Sequence, residues 1–199
     1  MDPSERVVFL TFDDGPIPEA TPFVLDTLDS FGIKATFFMV GDNVRKHHDV
    51  FDEVVSNGHR IGNHTFNHIG GFRRSSRDYL KNAQEANDIM QARLDSLAVV
   101  TGQTPQPLNL FRPPHGWMRT VQYRTLRRMG YTIVMWDLVT RDYSRRLTAA
   151  DVFDNVKRYT RNGSIVTFHD SLRSIDKLHT ALPQSLEWLL QQGYSFKTL

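Results

Sequence analysis

Two adjacent carboxylates, Asp13 and Asp14, stand where an apolar run, Val7-Val8-Phe9-Leu10, gives way to Gly15-Pro16. Such a run reads as a buried strand, and Gly-Pro stops it. Neighbouring like charges are costly once desolvated, so this pair needs a cation or a proton to share, unless it is a solvated Asp-Gly turn. Further on, His64 and His68 stand four apart, a spacing that a helical turn would bring to one face as metal ligands. Two imidazoles and one carboxylate, from Asp13 or Asp14, leave coordination positions open for water and substrate, as a catalytic metal site requires. The carboxylate that does not bind the ion is then free to act as a general base. His169 ends another apolar run and suits general-acid work near neutral pH; taken alone it would be a core histidine. Arg112 also ends an apolar run, and a guanidinium there needs a carboxylate, Asp13 or Asp142.

The elements that must position these groups alternate along the chain. Strands are read at Arg6–Phe12, Ala35–Val40, His59–Asn63, Leu108–Arg112, Tyr131–Trp136, Ser164–His169 and Ser195–Leu199. Helices are read at Pro22–Phe31 with Thr21 as N-cap, Val44–Asn57, Ser76–Thr101, Thr120–Met129, Thr148–Thr160 with Thr148 and Asp151 as a capping box, and Ile175–Gln192. About seven such units, seven strands alternating with six helices, imply a parallel sheet with helices outside. Periodicity alone fits a doubly wound sheet and a closed barrel equally. Five strands deliver unusual polar residues to their carboxyl ends, which is the edge where parallel α/β folds place their ligands. A barrel would converge them on one point better than an open sheet.

The chain has 199 residues, 40% of them hydrophobic, a net charge of +2 and a pI near 9.0. That length favours one domain over residues 1–199. The charge implies no strong pull toward nucleic acid or membrane. The pairs Arg73-Arg74, Arg127-Arg128 and Arg145-Arg146 read as solvated faces. With no cysteine, disulfides and thiolate-bound zinc are excluded, and a metal must use His, Asp or Glu. No apolar run is long enough for a transmembrane helix. No basic stretch followed by an apolar one opens the chain, so no signal peptide is expected. Cytoplasm is then the default compartment, with a secreted or periplasmic location if the sequence is a trimmed piece. Oligomeric state is not readable. His47, His48, His59 and His179 lie away from the clusters above and read as surface or structural histidines.

Taken together, the clusters resemble a polysaccharide deacetylase of the NodB-homology type, carbohydrate esterase family 4. Its first motif, Thr-Phe-Asp-Asp-Gly, stands at Thr11–Gly15, and its second, His-Ser/Thr-x-x-His, at His64–His68. The third, Arg-x-Pro-Tyr, corresponds to Arg112-Pro113-Pro114-His115, the fourth, Asp-Trp, to Asp142-Tyr143, and the fifth, Leu-x-His, to Thr167-Phe168-His169. The resemblance runs from Val7 to about Leu199 and implies an α/β fold, a distorted (β/α)7 barrel. It implies that Asp14, His64 and His68 bind a divalent metal, zinc first, with cobalt or nickel as alternatives. It makes Asp13 the general base, held by Arg112, and His169 the general acid, oriented by Asp142. The backbone N–H of His115 would help stabilise an oxyanion. The implied reaction is hydrolysis of the N-acetyl group of N-acetylglucosamine-type sugars, in peptidoglycan or a chitin-like oligomer.

The sequence departs from that pattern at three places: His115 replaces Tyr, Tyr143 replaces Trp, and Thr167 replaces an aliphatic residue. These bear on substrate preference more than on chemistry. Trp117, Trp136 and Tyr143 are candidates to stack on sugar faces, with Trp136 equally placed for barrel core. Two alternatives remain. One is hydrolysis of another C–N bond in a small-molecule amide. The other is a non-catalytic glycan-binding module, which would not need the full set of acids, bases and ligands.

Overall fold

The computed structural model describes residues 5–102 and 104–199. β1 (Val7–Asp13) leads into α1 (Thr21–Ser30), β2 (Thr36–Met39), α2 (Gly41–Lys46), α3 (His48–Ser56) and β3 (Arg60–Asn63). There follow α4 (Ser76–Thr101), β4 (Leu110–Phe111), a 3-10 turn at Pro114–Gly116, α5 (Thr120–Arg128), β5 (Thr132–Ile133) and β6 (Leu138–Val139). Then come α6 (Ala149–Tyr159), β7 (Ile165–His169), α7 (Ile175–Gln191) and β8 (Ser195–Phe196). All pairings are parallel, in the order β5-β4-β3-β2-β1-β7-β6, and β8 lies beside Val7 and Val8 of β1.

The sheet curls into a distorted barrel, as the sequence implies. β5 and β6 sit at its two margins yet belong to one segment. Val134 N–H donates to Phe111 O on the β4 side, and Asp137 N–H donates to Ile165 O on the β7 side. One stretch of chain therefore bonds to both margins. Of the stretch read as a single strand, Tyr131–Trp136, only Thr132–Ile133 is strand; the chain then changes partner and forms β6 at Leu138–Val139.

Alternation along the strands sorts the side chains. Val8, Leu10 and Phe12 face the helices and pack with Val24, Leu25 and Leu28 of α1. The Phe12 ring lies between Phe37 at 5.0 Å and Phe168 at 5.8 Å, one from each neighbouring strand. The opposite parity, Thr11 and Asp13 on β1 and Thr167 and His169 on β7, turns into the barrel. β1 is buried along its whole length, as befits a central strand covered on both faces.

The helices follow the reading with two corrections. α4 has the expected bounds, with Ser75 Oγ accepting from Asp78 N–H and Gly102 closing it at φ 69°, a left-handed value natural to glycine. The capping box of α6, Thr148 with Asp151, is present. The helix read as Val44–Asn57 is two, α2 and α3, broken at His47, whose φ and ψ are −130° and 54°. Thr21 is the first residue of α1, not its N-cap. Its hydroxyl accepts from Ile17 N–H and donates to Asp170 at 2.6 Å, so a buried tertiary partner has claimed the group a cap would use. Among the described residues no helix is long and apolar enough to cross a membrane.

Candidate active site

The carboxyl ends of the strands surround a cavity of about 320 Å³, lined among others by Asp13, Asp14, His64, His68, His115 and His169. Asp14 sits just past β1 at φ 85°, a conformation rarely adopted by a non-glycine residue and kept only where the surroundings enforce it. Its N–H donates to Phe38 O, and its carbonyl accepts from Asn43 Nδ2 at 2.8 Å. Its Oδ1 lies 3.2 Å from His68 Nε2 and 3.8 Å from His64 Nε2. That buried oxygen has no hydrogen-bond partner among the described residues. The potential ligand atoms of Asp14, His64 and His68 all lie within 4.8 Å of one another.

The histidine pair is not helical, contrary to the sequence reading. The chain leaves β3 and turns with Thr65 at φ 64° and His68 at φ 53°. Buried Asn63 organises the turn: its Oδ1 accepts from Thr65 N–H and its Nδ2 donates to Ala83 O of α4. Asn82 Oδ1 accepts from the N–H groups of Phe66 and Asn67. The two imidazoles end 5.0 Å apart. His64 Nδ1 lies 2.8 Å from Arg112 O. A carbonyl can only accept, so Nδ1 carries the hydrogen and Nε2 keeps its lone pair for a ligand. Burial pushes the His64 pKa down to about 4, against the opposing pull of Asp13, so the ring is neutral and able to ligate.

Arg112, just past β4, is fully buried and reaches β1, β7 and the segment between β5 and β6. One nitrogen donates to Asp13 Oδ1 at 2.6 Å, Thr11 Oγ1 at 2.8 Å and Thr167 Oγ1 at 3.2 Å; the other donates to Met135 O at 3.0 Å. The guanidinium also lies 4.1 Å from the Phe38 ring centre. Of the two carboxylates the sequence offered as its partner, the structure selects Asp13. The second Asp13 oxygen makes no protein hydrogen bond among the described residues and is left for the cavity. Asp142 instead serves His169. Its Oδ1 pairs with His169 Nδ1 at 2.8 Å, and its Oδ2 accepts the His169 backbone N–H at 2.7 Å. Burial would lower the His169 pKa, but the Asp142 hydrogen bond and charge, with Asp13 and Asp14 behind, outweigh it and raise it to about 9.

His115 follows Arg112 in the 3-10 turn at φ 60°, its ring edge-on to His68 at 4.8 Å. Its backbone N–H makes no protein hydrogen bond among the described residues. Burial, then His68 and Arg73, lower its side-chain pKa. Tyr143 stands edge-on to His169 at 4.8 Å and lines the cavity, as does Trp136. Trp117 lies outside the cavity and is 60% exposed. His59 is structural, its Nδ1 accepting from Ala35 N–H, and His179 packs on Phe23.

Two residues at this edge were not singled out from sequence. Asp170 is fully buried beneath the Asp13–Gly15 turn. It accepts from Gly15 N–H and Thr21 Oγ1, while its own N–H donates to Asp13 O. Burial, with the Asp14 charge adding to it, raises its pKa to about 8. Its place directly after His169 was the available signal. Arg173 lines the cavity from the segment before α7, and an isolated arginine carries no such signal.

The comparisons with known proteins agree with this geometry. The family model described as polysaccharide deacetylase matches residues 1–134. A peptidoglycan-N-acetylglucosamine deacetylase of Bacillus cereus is 34% identical over 201 residues, covering 98% of this chain and 87% of the relative. The peptidoglycan-N-acetylmuramic acid deacetylase PdaC of Bacillus subtilis is 29% identical; the match covers 100% of this chain and 39% of PdaC. The solved PdaC structure superposes with a TM-score of 0.81 at 28% identity, over 100% of this chain and 90% of that one. A CE4 family pseudoenzyme from Bacillus anthracis superposes with a TM-score of 0.84 at 25% identity, over 99% of this chain and 65% of that one, so the fold alone does not guarantee activity. With the family model spanning most of its length and the relatives agreeing, the chain belongs to the polysaccharide deacetylase family, the NodB-homology class of carbohydrate esterase family 4.

Proposed function

We propose that the protein is a metal-dependent N-deacetylase of N-acetylglucosamine-type glycans, with peptidoglycan ahead of chitin-like oligomers, and that residues 1–199 form one such domain. The observation that carries the metal reading is Asp14 Oδ1, buried, without a hydrogen bond among the described residues and set against two Nε2 atoms. Carboxylate and neutral imidazole are the donors that zinc, cobalt and nickel accept. A divalent ion held by Asp14, His64 and His68 would polarise an acyl oxygen and make water more acidic. The chain's own groups supply the rest. Asp13, held at one oxygen by Arg112, takes a proton from the attacking water with the other. The free N–H of His115 donates to the oxygen that gains negative charge. His169, kept protonated by Asp142, gives its proton to the departing amine. Acetate and a free amino sugar result. The intact set of base, acid and partner carboxylates favours this reading over a glycan-binding module, since binding alone needs none of those proton positions.

The peptidoglycan preference rests on the relatives' printed activities. The test is acetate release from a short N-acetylglucosamine oligomer by protein stripped with chelator and then reloaded with zinc. Release that depends on the ion supports the reading. Bound ion with no release from any acetylated glycan would overturn the substrate, and failure to bind any divalent ion would overturn the site.

A further inference from the structure

The loops that follow the strands carry arginines that the catalytic chemistry does not use. Residues 64–75 hold Arg73 and Arg74, residues 140–148 hold Arg141, Arg145 and Arg146, and residues 170–174 hold Arg173. All six are exposed. None forms an ion pair among the described residues. The acids on the strand-end loops are engaged internally: Asp14 by the imidazoles, Asp142 by His169 and Asp170 by Gly15 and Thr21. Glu19 is the exception, exposed between β1 and α1. The six arginines stand beside five carboxylates at these strand ends, Asp13, Asp14, Glu19, Asp142 and Asp170, of which all but Glu19 face the cavity or the core, so the charge turned to solvent there is mostly positive.

Two observations tie this charge to the cavity. Arg173 is part of the cavity wall. Arg73 N–H donates to Gly70 O at 3.0 Å in a turn that abuts His115, close enough for a Gly70 side chain to meet the His115 ring at 3.4 Å. The same loops expose Phe72 at 58% and Tyr143 at 42%, flat surfaces suited to sugar faces. Unpaired guanidinium groups match carboxylate or phosphate oxygens in bidentate geometry. A neutral oligosaccharide offers nothing to them.

We propose that this edge is a docking surface for an anionic glycan, whose acetamido sugar enters the cavity while carboxylate or phosphate groups on adjoining units lie against Arg173 and the arginine pairs. The proposal rests on the deacetylase reading for what enters the cavity, and its test separates the two. Binding of the metal-loaded protein is measured by co-sedimentation with insoluble peptidoglycan carrying its phosphate polymers, with the same material stripped of them, and with chitin as the neutral control. Raising salt from about 0.02 M to about 0.3 M should weaken binding to the anionic materials more than tenfold and leave chitin unaffected. Stripping that leaves binding intact assigns the carboxylates; stripping that removes it assigns the phosphates.

Arg173→Gln and the double variants Arg73→Gln/Arg74→Gln and Arg145→Gln/Arg146→Gln should each raise KM for a soluble anionic strand by about fivefold. In the two double variants, whose residues are not part of the cavity wall, kcat and turnover of the neutral oligomer should stay within about twofold of wild type. Variants that bind anionic glycan like wild type, or wild-type binding indifferent to salt, would overturn the docking surface while leaving the deacetylase reading intact. Salt-dependent glycan binding without acetate release from any substrate would do the reverse. Duplex DNA bound as tightly as the glycan at equal salt would overturn the choice of partner.

Discussion

Asp142→Asn isolates the proton on His169. In the native site two opposing influences act on that imidazole. Burial disfavours its charged form, and the Asp142 hydrogen bond and charge more than compensate, leaving the pKa raised to about 9. Asn keeps the side-chain shape but removes the charge. Burial then acts with its main opponent gone, and the pKa should fall to or below the ordinary value of about 6.5. A fall of about 2.5 units corresponds to about 3.4 kcal/mol. At about pH 7.5 the protonated fraction drops from nearly all to about a tenth, so loss of acid alone costs about tenfold in rate. The assay is kcat for acetate release as a function of pH at saturating oligomer. Wild type should lose activity on the alkaline side near pH 9, and the variant at least two units lower. A variant whose alkaline limb stays near pH 9 would refute the assignment of His169 as the acid. Stability gives an independent check. The folded pKa lies above the unfolded value, so the pair's contribution is complete below about pH 6.5 and disappears as pH rises through 9. The Tm difference between wild type and variant should therefore be largest near pH 6 and shrink toward pH 10.

Asp13→Asn should retain the metal while kcat falls by about 10²- to 10⁴-fold; metal content by elemental analysis beside a near-normal rate would remove Asp13 as base. His64→Ala should lose ion and activity together, because a two-ligand remnant binds poorly; a full equivalent of tightly held zinc would show that the ligand set is wrong. Gly15→Ala would place a methyl group 2.0 Å from the Asp170 carboxylate, forcing the Asp13–Asp14 turn to move. Overpacking of this kind costs about 1–3 kcal/mol, and metal affinity should weaken with it. Unchanged Tm and zinc affinity would mean that Asp170 does not hold the turn.

The parallel sheet was legible because strands covered on both faces read as short apolar runs, and five of them ended in a residue no core would choose; the barrel itself followed from the motif resemblance. What the sequence could not show was partner exchange. Tyr131–Trp136 has strand composition throughout, but its break depends on a segment bonding to β4 and then to β7, which exists only once the sheet has curled. The His64–His68 spacing suggested a helical turn for the same local reason. The structure meets that spacing with two left-handed residues, held by Asn63 and Asn82 from outside the motif. Thr21 was misread because a cap and a buried hydroxyl donor look alike in one dimension.

The arginine pairs show the same limit applied to charge. In the sequence, Arg73-Arg74, Arg127-Arg128 and Arg145-Arg146 are equivalent, and a solvated face is the simplest account of each. The fold separates them: the first and last stand on strand-end loops near the catalytic cavity, and Arg127-Arg128 closes α5. Residues in the last turn of a helix serve its dipole, and Arg127 also donates to Tyr131 O. Among the described residues no comparable internal partner accounts for the other two pairs. Net charge near zero therefore says little about a partner when the solvent-facing charges around one cavity are mostly of one sign. The relevant quantity is the field at the mouth of the cavity, and its salt dependence is what the glycan-binding experiment reads.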